Sequence, residues 1–408
     1  MLLLFLLITA LQAQLDLWDL PPLRYSDTES TDRLAQLAKD WQSGKKRLEG
    51  TTEVARVKEI LVALQVPESS QILVFSKTSK QNHLIHPGNP RALYFSRDCY
   101  CGFVPGGMME VIIHDRFLGP VFYLIDLGHE QKAPKVERDT SDCLSCHGTG
   151  RTENAPGVLV RSVFPDENGH PLLSFGSGLV MHDTPIAERW GGYYVTGAIG
   201  LPHFGNRTYA EARQAQAESL EWSSVNGKID ASKYPCATSD IVALMVLEHQ
   251  CQAHNLLTAA KMNYDRARYL SLSIDPGGDP DQGSAGRVAD QAAQRIVDWF
   301  LFSGETDMGD DGVSGSESFQ QQFAATIPRA GNGDSLADFQ LNSRLFKNRC
   351  SYMIYSEAFA GLPASVRKRV ITRLKKVLET VEEADDRVPI KISERKRIAE
   401  ILRDTGVF

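Results

Sequence analysis

The hydrophobic period of this 408-residue chain changes near residue 208, and that change limits the available folds more than any other sequence feature. Before it, the runs ILVF at 72–75, ALYF at 92–95, MEVII at 109–113 and PVFYLI at 120–125 are short and β-rich, with Pro, Gly and Asn between them. They predict a small sheet. GVLVRSVF at 157–164 and PLLSF at 171–175 flank Asp166 to Gly169 and read as a hairpin. Ahead of the sheet, Leu34, Leu37 and Trp41, then Val54, Val57, Ile60, Leu61 and Leu64, recur at the spacing of two amphipathic helices. Beyond 208 the alternation stops. A long apolar helix capped by Thr238 or Ser239 carries Ile241, Leu244, Met245, Val246 and Leu247, and further helices are expected at 288–302, 336–346, 351–360, 364–381 and 393–403. The fold class predicted is α+β, with a β-rich part at 24–207 and an all-helical part at 208–408.

Cys143, Leu144, Ser145, Cys146 and His147 form a C-x-x-C-H near the middle of the β-rich part. This spacing is the attachment signature of c-type haem: both sulfurs become thioethers on the porphyrin vinyl groups and the adjacent imidazole binds the iron. Seven Cys and ten His in this length predict only about 0.003 such matches by chance, so composition does not explain it. Two other readings compete. A zinc site would need a second ligand pair, and the remaining cysteines supply no second C-x-x-C. A thioredoxin-like pair would follow a strand of a βαβ unit, whereas the stretch at 132–141 reads as charged and irregular.

The motif, with Gly148 after it, resembles that of c-type cytochromes, and ERWGGYYVTG at 188–197, HFGN at 203–206 and LEHQCQAHN at 247–255 look like parts of large exported bacterial proteins that carry one such motif. The resemblance implies one covalent haem c on Cys143 and Cys146 with His147 on the iron, electron transfer, and a redox partner protein. Compact cytochromes c are several times shorter and do not carry the motif mid-chain, so their small helical fold is not implied here.

Residues 1–11 are an apolar run of signal-peptide length, and Ala13 fits a cleavage site, so the expected location is periplasmic or otherwise exported, with residues 1–13 removed. Eleven residues reach only about 16 Å as a helix, half a bilayer core, and no transmembrane segment is expected. A net charge of −7 disfavours a nucleic-acid partner.

The opposite face of the iron needs a ligand. His203, in a short loop between Gly200 and Gly205, is the first candidate and His182 the second, with Met181 beside it after the Gly-rich run at 176–178. If that position is instead open, haem chemistry on peroxide or a small nitrogen oxide, or sensing, becomes the alternative, with His249 or Glu248 as proton donors. Glu248, Gln252 and Asn255 share one face of their helix, which reads either as a polar seam or as a cover over the haem pocket. Asp307, Asp310 and Asp311 lack the ligand positions of a calcium loop. The basic residues of the helix at 364–381 form a solvated face or one that meets an acidic partner or anionic lipid. Five cysteines lie outside the motif, so at least one is unpaired in a monomer.

Overall fold

Alternation along the strands decides which side of the sheet each residue serves. In the computed structural model, which describes residues 16–128, 133–211, 216–380 and 390–408, β1 (Ile72–Val74), β2 (Arg91–Ser96), β3 (Cys99–Phe103), β4 (Met109–Asp115), β5 (Gly119–Asp126) and β6 (Lys135–Asp139) form an antiparallel meander. A short later strand, β9 (Tyr193–Tyr194), pairs with β1 and completes the order β6-β5-β4-β3-β2-β1-β9. Ala92, Tyr94, Cys99, Cys101, Met109, Val111 and Val121 point to one face. There they share a buried cluster with Leu34, Leu37 and Trp41 of α1 (Arg33–Gln42) and Val57, Ile60 and Leu61 of α2 (Glu53–Leu64). Asp32 and Thr52 start these helices by accepting from the N–H groups of Ala35 and Ala55. The residues predicted as a signal peptide lie outside the described residues.

The other face looks toward α4 (Ile241–Ile274), a 34-residue helix buried along most of its first six turns. Around it stand α5 (Ser284–Phe300), α6 (Glu317–Ala325), α7 (Glu357–Ala360), α8 (Ala364–Glu379) and α9 (Ile392–Asp404). The protein is thus α+β, with its sheet before residue 200 and its large helices after residue 240. The two parts share apolar packing: Ile72, Val74 and Phe95 belong to the same cluster as Leu244, Ile296, Phe300 and Leu374. Part of the basic face of α8 is paired rather than bare, since Asp290 accepts from Arg373 and faces Arg369. All seven cysteines are free, with the sulfurs of Cys99 and Cys101 4.0 Å apart on the buried sheet face. Among the described residues no helix is long and apolar enough to cross a membrane.

Several elements depart from their predicted places. Residues 336–346 form no helix, because side chains there bond nearby backbone in turns: Asp338 accepts from the Ser335 N–H and Gln340 from that of Ser343. The expected helix at 351–360 is a single tight turn, Tyr352–Tyr355, followed by α7. Between the expected helices at 288–302 and 336–346 lies α6, capped by Ser316, which accepts from the Phe319 N–H. In the hairpin, β7 (Arg161–Val163) pairs with β8 (Ser177–Leu179), and Leu173–Phe175 is a turn inside the connection. The charged stretch before the C-x-x-C-H contains β6, an edge strand whose Lys135 and Glu137 face solvent.

The cap of α4 is Asp240 rather than Ser239 or Thr238. Its Oδ1 accepts from the Ala243 N–H at 2.8 Å and its Oδ2 from that of Ser316 at 2.5 Å. One carboxylate therefore starts the central helix and anchors the entry to α6. Asp240→Ala is expected to cost about 2–4 kcal/mol by urea denaturation, because it strands the buried Ala243 N–H and the part-buried Ser316 N–H, while Asp240→Asn costs less than half of that.

A candidate cofactor cavity at the C-x-x-C-H

Register places two rows of side chains on the sheet face opposite α1 and α2: Leu93, Gly102, Glu110 and Leu124, and beside them Phe95, Tyr100, Ile112 and Phe122. These rows form one wall of a cavity of about 660 Å³. Cys143, Cys146 and His147, together with Val158, Leu247 and Cys251, also line it. Cofactor sites fall at roughly 300–1,000 Å³ with mostly apolar walls, and this cavity meets both conditions. The wall carries one charged pair, Arg91 to Glu110 at 2.9 Å, and Glu110 also accepts from Ser79 and Gln81. A Cβ on Gly102 would come within 2.7 Å of the Arg91 Nε, so glycine lets the guanidinium lie flat across β3. That Nε is buried and has no hydrogen-bond partner.

The motif is held from three sides. Asp139, at the end of β6, accepts from the N–H groups of Ser141 and Cys143 and pairs with Lys80, which turns the chain into the four-residue helix α3 (Leu144–His147). Residues three apart on a helical turn face the same way, so Cys143 and Cys146 open on one cavity. Leu144 is buried behind them, and Trp18 covers Gly148, where a Cβ would lie 2.4 Å from the indole. On the far side, the His147 carbonyl accepts from the Gly157 N–H at 2.8 Å and the Gly157 carbonyl accepts from His147 Nδ1 at 2.9 Å. A carbonyl only accepts, so Nδ1 carries the proton and Nε2 keeps its lone pair. Burial lowers the His147 pKa, which keeps the ring neutral and able to ligate.

The segment carrying Gly157 is itself clamped by α4. Asn255 accepts from the Val158 N–H at 2.9 Å and donates to its carbonyl at 2.8 Å, as a neighbouring strand would. Gln252 donates to Glu153, and Glu248 accepts from Trp190 Nε1 and pairs with Arg189. The polar face of α4 is therefore a seam that grips residues 153–190, and the α4 side chains on the cavity are Leu247 and Cys251. Glu248 lies outside the cavity, with its pKa pushed up to about 7, chiefly by burial.

Cys143 bears on the alternatives to haem. Burial, with Asp139 nearby, pushes its thiol up to about 12, the reverse of what a redox nucleophile or a zinc thiolate needs. A strand does precede the motif, but β6 is antiparallel to β5 and α3 is a single turn, so there is no βαβ unit. Among the described residues no group of three His, Cys, Asp or Glu side chains forms a metal cage, so an iron here would rest on His147 and its porphyrin.

His203 and His182 do not line this cavity. His203 Nδ1 accepts from the Gly205 N–H at 3.0 Å and its ring meets the Trp190 face edge-on. His182 stacks on Trp299 with centroids 3.7 Å apart, donates through Nε2 to the Ser303 carbonyl, and lies 2.8 Å from His249 Nδ1. Because that carbonyl fixes the His182 proton on Nε2, His249 Nδ1 donates and His249 Nε2 accepts from Ser351 at 2.7 Å. Burial holds the pKa of both rings low, so the chain is neutral and its tautomers are defined. Met181 is outside the cavity too. Sequence reasoning missed Arg91, Glu110 and Tyr100. Their signal was period two: charged or hydroxyl side chains at 91, 100 and 110, in step with apolar 93, 95 and 112. No protein-family model, curated protein or solved structure matches the chain.

Asn255→Leu leaves the Val158 N–H and carbonyl buried without partners, and a loss of about 2–4 kcal/mol is expected in urea denaturation. His203, buried, has its pKa lowered to about 4 in the folded chain against 6.5 unfolded. The unfolded chain therefore binds the extra proton first, and the wild type loses stability as pH falls from 6.5 to 4. His203→Asn keeps an acceptor for Gly205 and cannot titrate. Relative to wild type it should gain about 3 kcal/mol between pH 7 and pH 4, read from urea midpoints at each pH.

Proposed function

We propose that this chain is an exported c-type haem protein of electron transfer, with thioethers at Cys143 and Cys146 and iron bound by His147 Nε2. The observation that carries the reading is the convergence of these three side chains on one apolar cavity of cofactor size, with the Nδ1 proton of His147 already committed to Gly157. When bound, the group supplies a one-electron iron couple. Leu93, Ile112, Phe122, Val158 and Leu247 would pack its faces and exclude water. Arg91, Lys77 and Lys80 would meet its acid groups. Asn255, through Val158 and Gly157, keeps the His147 ring from rotating and makes its Nε2 a better donor.

A second reading, a haem-dependent oxidoreductase acting on peroxide or a small nitrogen oxide, is favoured by the lining itself. Among the described residues that line it, His147 is the one imidazole and none is a methionine. A coordination position without a strong protein ligand is open to a small molecule.

Expression in a host with cytochrome maturation machinery should give an intact mass raised by one haem, lost in the Cys143→Ala/Cys146→Ala double variant. A bare wild-type chain rejects the proposal. The optical spectrum then separates the two readings. High-spin iron that turns low-spin with added imidazole supports the oxidoreductase. Low-spin iron indifferent to imidazole supports the carrier.

A further inference from the structure

A second cavity of about 480 Å³ lies beyond the turn between β2 and β3, lined by Asp98, His114, Asp115, Arg97 and Glu357 among others. Tyr100 belongs to the first cavity. Its hydroxyl is 2.5 Å from His254 Nδ1, across the gap between β3 and α4. The other nitrogen of that ring, Nε2, is buried, has no hydrogen-bond partner and lies 4.0 Å from Asp98 Oδ1. His254 is 1% exposed, and His114 stacks parallel to it with centroids 5.0 Å apart. The His114 Nδ1 is likewise buried and unpartnered. Two orphaned imidazole nitrogens beside a carboxylate at the edge of a solvent-open cavity are costly, at about 1–3 kcal/mol each, and have no packing purpose.

Resting on the haem reading, we infer that Tyr100, His254 and Asp98 form a proton path joining the second cavity to the buried end of the first. Cys146 is exposed at the mouth of the first cavity, whereas Phe95, Leu247 and Cys251 at its inner end are almost fully buried. A flat group tethered through both cysteines occupies the mouth, so protons reach the inner end by another route. The path begins with His254 carrying its proton on Nδ1. When an electron enters, Tyr100 gives its hydroxyl proton to water or another small oxygen base at the inner end. His254 Nδ1–H replaces it, and a proton from Asp98 arrives on Nε2. Asp98 is then refilled from solvent. One proton has moved inward, no covalent framework has changed, and the reverse movement accompanies reoxidation. Burial lowers the pKa of the His254 and His114 imidazoles and keeps both rings neutral at rest, and it raises that of the Asp98 carboxyl against the opposing pull of Arg97 and the Glu357 N–H. The charged and titratable groups facing this set are Arg97, Arg116, Asp115, Glu357 and Lys261 around Asp98 and the two imidazoles, with Cys251 and Tyr352 beside Tyr100.

The test is protein-film voltammetry of the haem-loaded protein at several pH values, with the electrode supplying the electron. The wild type is expected to show a midpoint that depends on pH up to a limiting scan rate, above which proton movement lags. In Tyr100→Phe, which removes only the hydroxyl, and in Asp98→Asn, that limiting rate should fall at least tenfold. Thr258→Val, one turn beyond His254 and outside the path, should behave as wild type. A limiting rate unchanged in Tyr100→Phe, or a wild-type midpoint indifferent to pH, overturns the path and leaves the haem reading standing. An intact mass without haem overturns both.

Discussion

The arrangement around the C-x-x-C-H depends on a reciprocal pair of hydrogen bonds, His147 carbonyl to Gly157 N–H and Gly157 carbonyl to His147 Nδ1. A four-residue helix has too few internal bonds to hold an imidazole in one orientation. Here the orientation comes from elsewhere. Asn255 pins Val158 to α4, Val158 carries Gly157, and Gly157 fixes both the backbone and the ring of His147. A Cβ at Gly157 would fall 2.4 Å from the Asn255 side chain, so the clasp also requires glycine at that position. The longest helix of the protein thereby sets the tautomer of a residue more than 100 positions away.

This dependence explains why α4 is both the most buried helix and the one with the most internal polar groups. An apolar helix of 34 residues would pack adequately with leucine alone. Instead Glu248, Gln252 and Asn255 spend part of its surface on partners in residues 153–190, a segment with little regular structure of its own. Buried polar groups are costly unless paired, and Glu248, Gln252 and Asn255 each have a partner in that segment. A segment that cannot be ordered by sheet or helix bonds is ordered by side chains from a neighbour.

How much of this was legible in the sequence follows from the range of each interaction. Strand alternation and helical period are local, and they gave the α+β class and most strand positions. The motif is local too. What the sequence did not reveal were pairings between distant segments. The loops offering His203 and His182 suit a metal ligand as isolated stretches, yet the fold uses those rings against Gly205, Ser303 and His249. Nothing in a window of ten residues distinguishes these outcomes. The helix expected at 336–346 failed for the opposite reason, because Asp338 and Gln340 bond nearby backbone so well that the apolar period is overruled.

The two faces of the sheet also explain why the cavity lies where it does. A sheet with both faces equally apolar would be covered on both sides and leave no room. Here α1 and α2 cover one face closely, while on the other Gly102 removes a side chain from the row of Leu93, Glu110 and Leu124, and Arg91 bends across the gap to Glu110. The resulting hollow is bounded at one end by the motif and at the other by Leu247 and Cys251. Tyr100, in the neighbouring row, is the point at which this hollow meets the buried imidazoles. A side chain that merely filled space there would be phenylalanine, as at 95 and 122 in the same row. The hydroxyl distinguishes position 100 from them, and His254 gives that hydroxyl its partner.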